Sequence, residues 1–383
     1  MEKVKILYLI YSLNAGGIES LCMNILDNID LTRFQIDFVV VKDKDTEQFY
    51  DAKVKSYGMK IFTVGDLRHG IACKYLSTRK DIYNIIKKEK YDVVHIHCGH
   101  WDKFPDAISA KLCGVKKIII HSHNGQLTRD TKLYRIRCIL QKLIKQLYPF
   151  VATDFFSCSD LASQWAFPSR VIKAGKVVYI KNGIDLNRFK YSDELRAKYR
   201  HEFGFKDEFV VGHIGRMSEQ KNHEFLIDVF NEIVKKKPNS KLLLIGKGEL
   251  ENQIKGKVSR LNLLDKVVFL GTTSEIPGVL AAIDAFVFPS RFEGLPVVGI
   301  EAQAMGVPVF ASDRISNDVK ITEAWHTISL EKSKEEWADI IFKTDLLRIN
   351  EKCRKNIEDA GFDIRDTTKK ISNIYLEGRE NEH

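Results

Sequence analysis

Short apolar runs, each closed by a glycine-containing or polar loop and followed by a stretch of helical periodicity, recur from end to end of this 383-residue chain. Val4–Tyr11 (VKILYLIY), Phe34–Val41, Asp92–His97 (DVVHIH) and Lys117–His123 (KIIIHSH) lie in the first half. Glu208–Gly215 (EFVVGHIG), Lys241–Gly246 (KLLLIG), Val267–Gly271 and Ala281–Pro289 (AAIDAFVFP) lie in the second. Runs this short read as strands buried on both faces. Strands that alternate with helices assemble as a doubly wound parallel sheet. A chain of this length holds two domains of ordinary size, each with its own core. The expected class is therefore α/β, with ligands at the carboxyl ends of the strands.

A hydrophobic content of 44% with 29% charged residues is that of a soluble globular protein. No apolar run approaches the roughly 18 residues of a membrane span. The start, MEKVKILYLIYS, has no small-residue cleavage site after it and alternates like a first strand. Seven scattered cysteines with no C-x-x-C pair point to reduced thiols in cytoplasm, and to neither a disulfide framework nor a zinc site. Charge is uneven. Residues 1–189 hold 30 Lys+Arg against 19 Asp+Glu, a net +11, and residues 190–383 hold 30 against 32, a net −2. Anionic lipid or a phosphorylated acceptor suits the basic half better than nucleic acid, for which no motif is present.

The densest stretch is Arg291–Glu301, RFEGLPVVGIE. After the strand run ending at Pro289, Gly294 supplies backbone freedom and Pro296 fits the first position of a helix. That helix is expected to run to Met305 and stop at Gly306, with Pro308 beyond. A glycine loop feeding a helix start gathers bare N–H groups where the dipole favours an anion. Glu293 in the loop and Glu301 in the helix then flank that anion, a pattern suited to a nucleotide sugar. Earlier in the same half, Arg216 and Lys221 lie across a loop that starts another helix (GRMSEQKN), an Arg fork and a Lys point charge suited to a diphosphate.

The spacing of Glu293 and Glu301 resembles the E-x7-E signature of retaining glycosyltransferases of the GT-B fold, in the large family 4 type that includes capsular and exopolysaccharide glycosyltransferases. GRMSEQKN matches that family's G-R-x4-K-N pattern, and the likeness runs over about residues 4–376. It implies two Rossmann-like domains facing a cleft: 1–189 on the acceptor side, 190–365 binding nucleotide sugar, and 366–383 as a helix returning to the first domain. It further implies that Arg216, Lys221 and the N–H groups of Gly294 and Leu295 hold the donor diphosphate, that Glu301 holds the ribose, and that Glu293 holds the donor sugar. The Gly16-Gly17 pair, which taken alone is only a tight strand-to-helix turn, would let the first domain approach the donor phosphates and acceptor.

Four histidines close two strands: His95 and His97, then His121 and His123. H-x-H puts both rings on one side of a strand, and no carboxylate is spaced to complete a familiar metal set. By the family's register His123 contacts the donor sugar or acceptor, with His121 the competitor if the strand slips by one. Asp43-x-Asp45 sits among lysines and reads as a solvated loop. No metal or other cofactor is expected. Thr131–Tyr148 carries apolar residues at helical spacing, and no acid occurs between Asp130 and Asp154. Its apolar face is expected in the core, with Lys132, Arg135, Lys142 and Lys145 facing a membrane surface.

The partners expected are a nucleotide-sugar donor and a saccharide acceptor, lipid-linked if that basic face meets lipid, on the cytoplasmic side of a membrane. Two alternatives stay open: a non-catalytic subunit that binds nucleotide sugar, and a nucleotide-sugar epimerase on the same fold. A nicotinamide oxidoreductase would need G-x-G-x-x-G after the first strand, which is absent.

Overall fold

The computed structural model describes residues 2–41, 46–65, 71–98, 100–123, 125, 134–348 and 350–377. Asp43, Asp45 and Lys132 lie outside the described residues.

Seven strands form the first sheet: β1 (Val4–Leu9), β2 (Phe34–Val41), β3 (Ile61–Val64), β4 (Val93–Cys98), β5 (Lys117–Ser122), β6 (Asp154–Ser157) and β7 (Val177–Tyr179). Six form the second: β8 (Phe209–Ile214), β9 (Ser240–Ile245), β10 (Val267–Gly271), β11 (Ala285–Phe288), β12 (Val309–Ser312) and β13 (Trp325–Ile328). The spatial orders are β3-β2-β1-β4-β5-β6-β7 and β10-β9-β8-β11-β12-β13, with parallel pairing throughout. Strand order reverses between β1 and β4 in one sheet and between β8 and β11 in the other. Loops leaving those strands at their carboxyl ends are where doubly wound sheets bind ligands.

Alternate residues of each strand enter opposite cores, as a sheet covered on both faces requires. In β1, Ile6 and Tyr8 join one cluster while Leu7 and Leu9 join the other. The second sheet divides likewise, Phe286 and Phe288 on one side and Ala285 and Val287 on the other. The chain divides into two compact units, residues 1–183 with 364–383, and 184–363. The sequence places the divisions at 189/190 and 365/366. The contacts divide earlier because Ile184, Leu186 and Phe189 are buried in the second unit's core, and Ile364 in the first's.

Two local readings change. The apolar run Ala281–Pro289 is a strand only from Ala285; Ala281 and Ala282 finish the helix Ile276–Ala282. The Asp284 carboxylate makes the turn by accepting from Val210 N at 2.7 Å and from the Arg196 guanidinium at 2.6 Å. The helix Tyr134–Ile144 does not put its apolar face in the core. It buries Gln141 and leaves Ile136, Ile139 and Leu143 exposed.

Candidate functional site

The loop after β11 runs from Pro289 to Leu295 and is fixed from both sides. Asn222 Nδ2 donates to Pro289 O at 3.1 Å, Arg291 N to Gln220 O at 2.8 Å, and Gln220 Nε2 to Phe292 O at 3.1 Å. From the other side Ser316 N donates to Glu293 O at 3.2 Å, and Glu293 N to Arg314 O at 3.4 Å. The loop after β8 therefore shapes the loop after β11, with Asn222 in the left-handed region at φ 57° to turn its side chain inward. Pro296 is the N-cap of the helix Val297–Ala304 and not its first residue, and Gly306 at φ 67° closes the other end.

Gly294 is not in the left-handed region, and a Cβ there would meet open space. Backbone freedom is thus not what its glycine provides; the bare backbone faces empty room. The N–H groups of Gly294, Leu295, Val297 and Val298 find no acceptor among the described residues. Those of Val297 and Val298 are donors that a helix start leaves without partners, those of Gly294 and Leu295 belong to the loop before it, and an anion can take them.

Lys221 Nζ stands 2.6 Å from Glu293 Oε1, and both side chains are largely buried. The ammonium also lies 4.8 Å over the Phe288 ring. Beneath it, His213 donates from Nδ1 to Val287 O at 2.8 Å and packs edge-on to His223. Burial pushes both imidazoles down, His223 to about 4, with the Lys221 charge acting the same way. Lys221 is thus the nearest fixed positive charge to Glu293 in a low-dielectric setting.

Arg216 extends into solvent and pairs with Glu249, Nε to Oε2 at 3.2 Å. Their loops are close because Gly246 and Gly248 permit it. A Cβ on Gly246 would come within 2.2 Å of Gly215 O, and one on Gly248 within 2.3 Å of Met217 O. Gly246 also has φ 126°. Glu301 lies in the helix and is half-buried. The surrounding protein pushes its carboxyl up to about 7, and the Arg188 guanidinium acts in the opposite direction. No hydrogen bond to the Glu301 carboxyl is formed by the described residues, so it is a costly acceptor in want of a donor.

In the first unit, Gly16 is extended and precedes the helix Gly17–Asn28 as its N-cap; a Cβ on Gly16 would meet the Glu19 carboxylate, and one on Gly17 open space. Ser12 Oγ donates to Glu19 at 2.9 Å. The four strand-end histidines share one face of the sheet and are all buried. His95, His97 and His121 hold ring nitrogens close enough to one another for a metal ion. Those nitrogens are engaged otherwise: His95 with Tyr375 Oη at 2.6 Å and with His121 at 3.2 Å, and His97 with His123 at 3.1 Å. Burial holds all four well below the ordinary histidine range, His123 at about 3, so the chain is one of neutral imidazoles. Among the described residues, His123 Nδ1 and His121 Nε2 have no hydrogen-bond partner.

Of the membrane-facing set, Arg135 and Lys142 are exposed, while the Lys145 ammonium donates to Gln164 O at 2.8 Å. Glu249, Arg188, Gln220 and Tyr375 were not singled out by sequence. They act through partners distant in the chain, and local pattern carries no sign of those.

Residues 196–363 match the family of glycosyl transferases group 1. The chain is similar to EpsF of Bacillus subtilis, a protein named as a glycosyltransferase, with 29% identity over 99% of this chain and 98% of that one. It is 25% identical, over 98% and 97% of the two chains, to the UDP-Gal:alpha-D-GlcNAc-diphosphoundecaprenol alpha-1,3-galactosyltransferase of Escherichia coli. With the capsular polysaccharide biosynthesis glycosyltransferase CapM of Staphylococcus aureus it shares 29% identity over 89% and 87%. Its fold resembles that of Anabaena Alr3699/HepE in complex with UDP and glucose, at a TM-score of 0.77 and 22% identity over 98% and 100%. The chain thus carries a glycosyl transferases group 1 domain on a GT-B fold, and it is related to the glycosyltransferases of polysaccharide biosynthesis.

Proposed function

We propose that this chain moves a hexosyl or N-acetylhexosaminyl group from a nucleoside diphosphate sugar to a saccharide carried on a lipid diphosphate, in the building of capsular or extracellular polysaccharide. The observation that carries this reading is the Lys221–Glu293 pair at 2.6 Å, set beside a helix start where the N–H groups of Val297 and Val298 find no acceptor among the described residues. Lys221, Arg216 and the N–H groups of Gly294 and Leu295 stabilise the departing diphosphate, where charge develops in the transition state. Glu293 accepts hydrogen bonds from the donor sugar and sets its anomeric carbon. Glu301 accepts from the ribose hydroxyls. His123, whose Nδ1 has no partner among the described residues, is the candidate in the first unit for contact with a sugar hydroxyl.

Transfer proceeds with retention: the acceptor oxygen bonds to the anomeric carbon on the face from which the phosphate oxygen leaves. The hydroxyl proton passes to that phosphate oxygen. No carboxylate pair arranged as in retaining hydrolases is assigned here, and Glu293 serves to position. The lipid diphosphate acceptor is supported by the name of the Escherichia coli relative, and a uridine diphosphate donor by that name and by the ligand of the Anabaena structure.

A panel of uridine diphosphate sugars with a synthetic lipid diphosphate saccharide tests the reading, with the new linkage assigned by NMR. An α linkage from an α donor is expected. A β linkage, or interconversion of donor sugars without acceptor, overturns it.

A further inference from the structure

The helix Tyr134–Ile144 and the turn after it present an apolar stripe to solvent. Ile136 is 54% exposed, Ile139 58%, Leu143 62%, Leu147 45% and Phe150 62%. Steps of three and four residues bring these side chains onto one side of a helix. The opposite side attaches to the protein through polar contacts. The buried Gln141 donates from Nε2 to Trp165 O at 3.2 Å, and Lys145 Nζ donates to Gln164 O at 2.8 Å. Both acceptors belong to the helix Asp160–Ala166. A helix that spends its polar side on the protein and its isoleucines and leucines on water is built to bury them elsewhere.

Charge says in what. Arg135 and Lys142 are exposed along one flank of the stripe, and the Arg170 guanidinium lies 5.5 Å over the Phe150 ring. No acid occurs between Asp130 and Asp154, and residues 1–189 carry a net +11. No helix of the described residues is long and apolar enough to cross a membrane. Large apolar side chains rimmed by cations that meet no carboxylate among the described residues match the interface of an anionic bilayer, where the stripe enters the acyl boundary and the cations stay among headgroups.

We infer that this stripe is a membrane-docking surface, seated in the headgroup region of an anionic bilayer. The purpose of docking rests on the lipid-carried acceptor proposed above, whereas its physical basis does not. Docking would bring the first unit to a substrate that cannot leave the membrane.

Flotation of the full chain with phosphatidylglycerol-containing vesicles, against vesicles of phosphatidylcholine alone, tests the inference. The wild type is expected to float with the anionic vesicles and to stay behind with the neutral ones. Arg135→Gln with Lys142→Gln is expected to lower partitioning about thirtyfold, and added salt to mimic that loss. Ile139→Asp with Leu143→Asp is expected to abolish flotation even at low salt, with an unchanged melting temperature because both sites are exposed. Transfer to a water-soluble acceptor analogue should be equal in all forms. If that transfer fails in the wild type while flotation persists, the fault lies in the proposed reaction and not in docking. Absence of wild-type flotation, or undiminished flotation of the aspartate variant, overturns the inference. So does a dimer that the aspartate variant splits, because a second copy then covers the stripe.

Discussion

Lys221 and Glu293, 72 residues apart, meet at 2.6 Å and join the loops of β8 and β11, the two strands at which the order of the second sheet reverses. In the proposed reaction one side chain brings the charge a diphosphate needs and the other the acceptor a sugar needs, and in the free protein the two stand as an ion pair. A donor diphosphate that engages Lys221 would release Glu293 for the sugar, coupling the two recognitions.

That pairing predicts a thermodynamic coupling. Lys221→Met leaves the largely buried Glu293 carboxylate without its counter-charge and should cost about 3 kcal/mol of stability. The double variant Lys221→Met, Glu293→Gln should cost less than the two single losses added, by about 1–2 kcal/mol. Urea unfolding of the four proteins checks this; strict additivity contradicts it.

Arg216 differs because it and Glu249 are 73% and 53% exposed. Arg216→Ala should change stability by no more than about 0.5 kcal/mol. It should weaken nucleoside diphosphate binding by about 1.5–3 kcal/mol, the worth of a charge-assisted contact, and leave binding of the nucleoside untouched. Calorimetry with both ligands decides, and equal losses contradict the assignment.

Glu301 predicts a pH dependence. Its folded carboxyl titrates at about 7, above the unfolded glutamate range. Between that range and about 7 the folded state holds a proton that the unfolded state lacks, so stability falls as pH rises through this window. The cost is fully present above about 7, moderated by the partial exposure of Glu301. Glu301→Gln should flatten the melting-temperature profile over this window. Ribose hydroxyls favour the carboxylate, so nucleoside diphosphate binding below about pH 7 should release more protons from wild type than from Glu301→Gln. Calorimetry in buffers of different ionisation enthalpy reads the difference, and identical release contradicts the role of Glu301.

The cations of Lys221 and Arg216 and the free N–H groups predict that transfer needs no metal ion. Activity should survive excess EDTA, and Asp45→Ala should be silent. Loss in EDTA with recovery on adding Mn²⁺ contradicts this.

Sequence revealed the sheet because a strand covered on both faces must be apolar throughout, and that pattern needs no partner to be read. It also revealed the loop-to-helix transition at Glu293, since glycine and proline mark such turns wherever they occur. Other features depend on what lies across from them. The run Ala281–Pro289 is equally apolar in helix and strand, and only the Asp284 contacts divide it. In the helix Tyr134–Ile144 the periodicity was legible but the side facing inward was not; Gln141 decided it by finding the Trp165 carbonyl. Gly294 was legible as a special position for the wrong reason, since its backbone is ordinary and the room beside it is what matters. The link from His95 to Tyr375 spans 280 residues and exists only once the helix Ile364–Leu376 has packed within the first unit.

The most direct test of the account is steady-state transfer by Glu293→Gln beside the affinity of the same protein for nucleoside diphosphate. The amide keeps the size of the side chain and removes the charge that orients the sugar. Turnover should fall about a hundredfold, the scale of a lost electrostatic contact in a transition state, while diphosphate affinity stays within about threefold of wild type. Turnover near the wild-type value would contradict the placing of the donor sugar at Glu293, and with it the reading of this loop as the site of transfer.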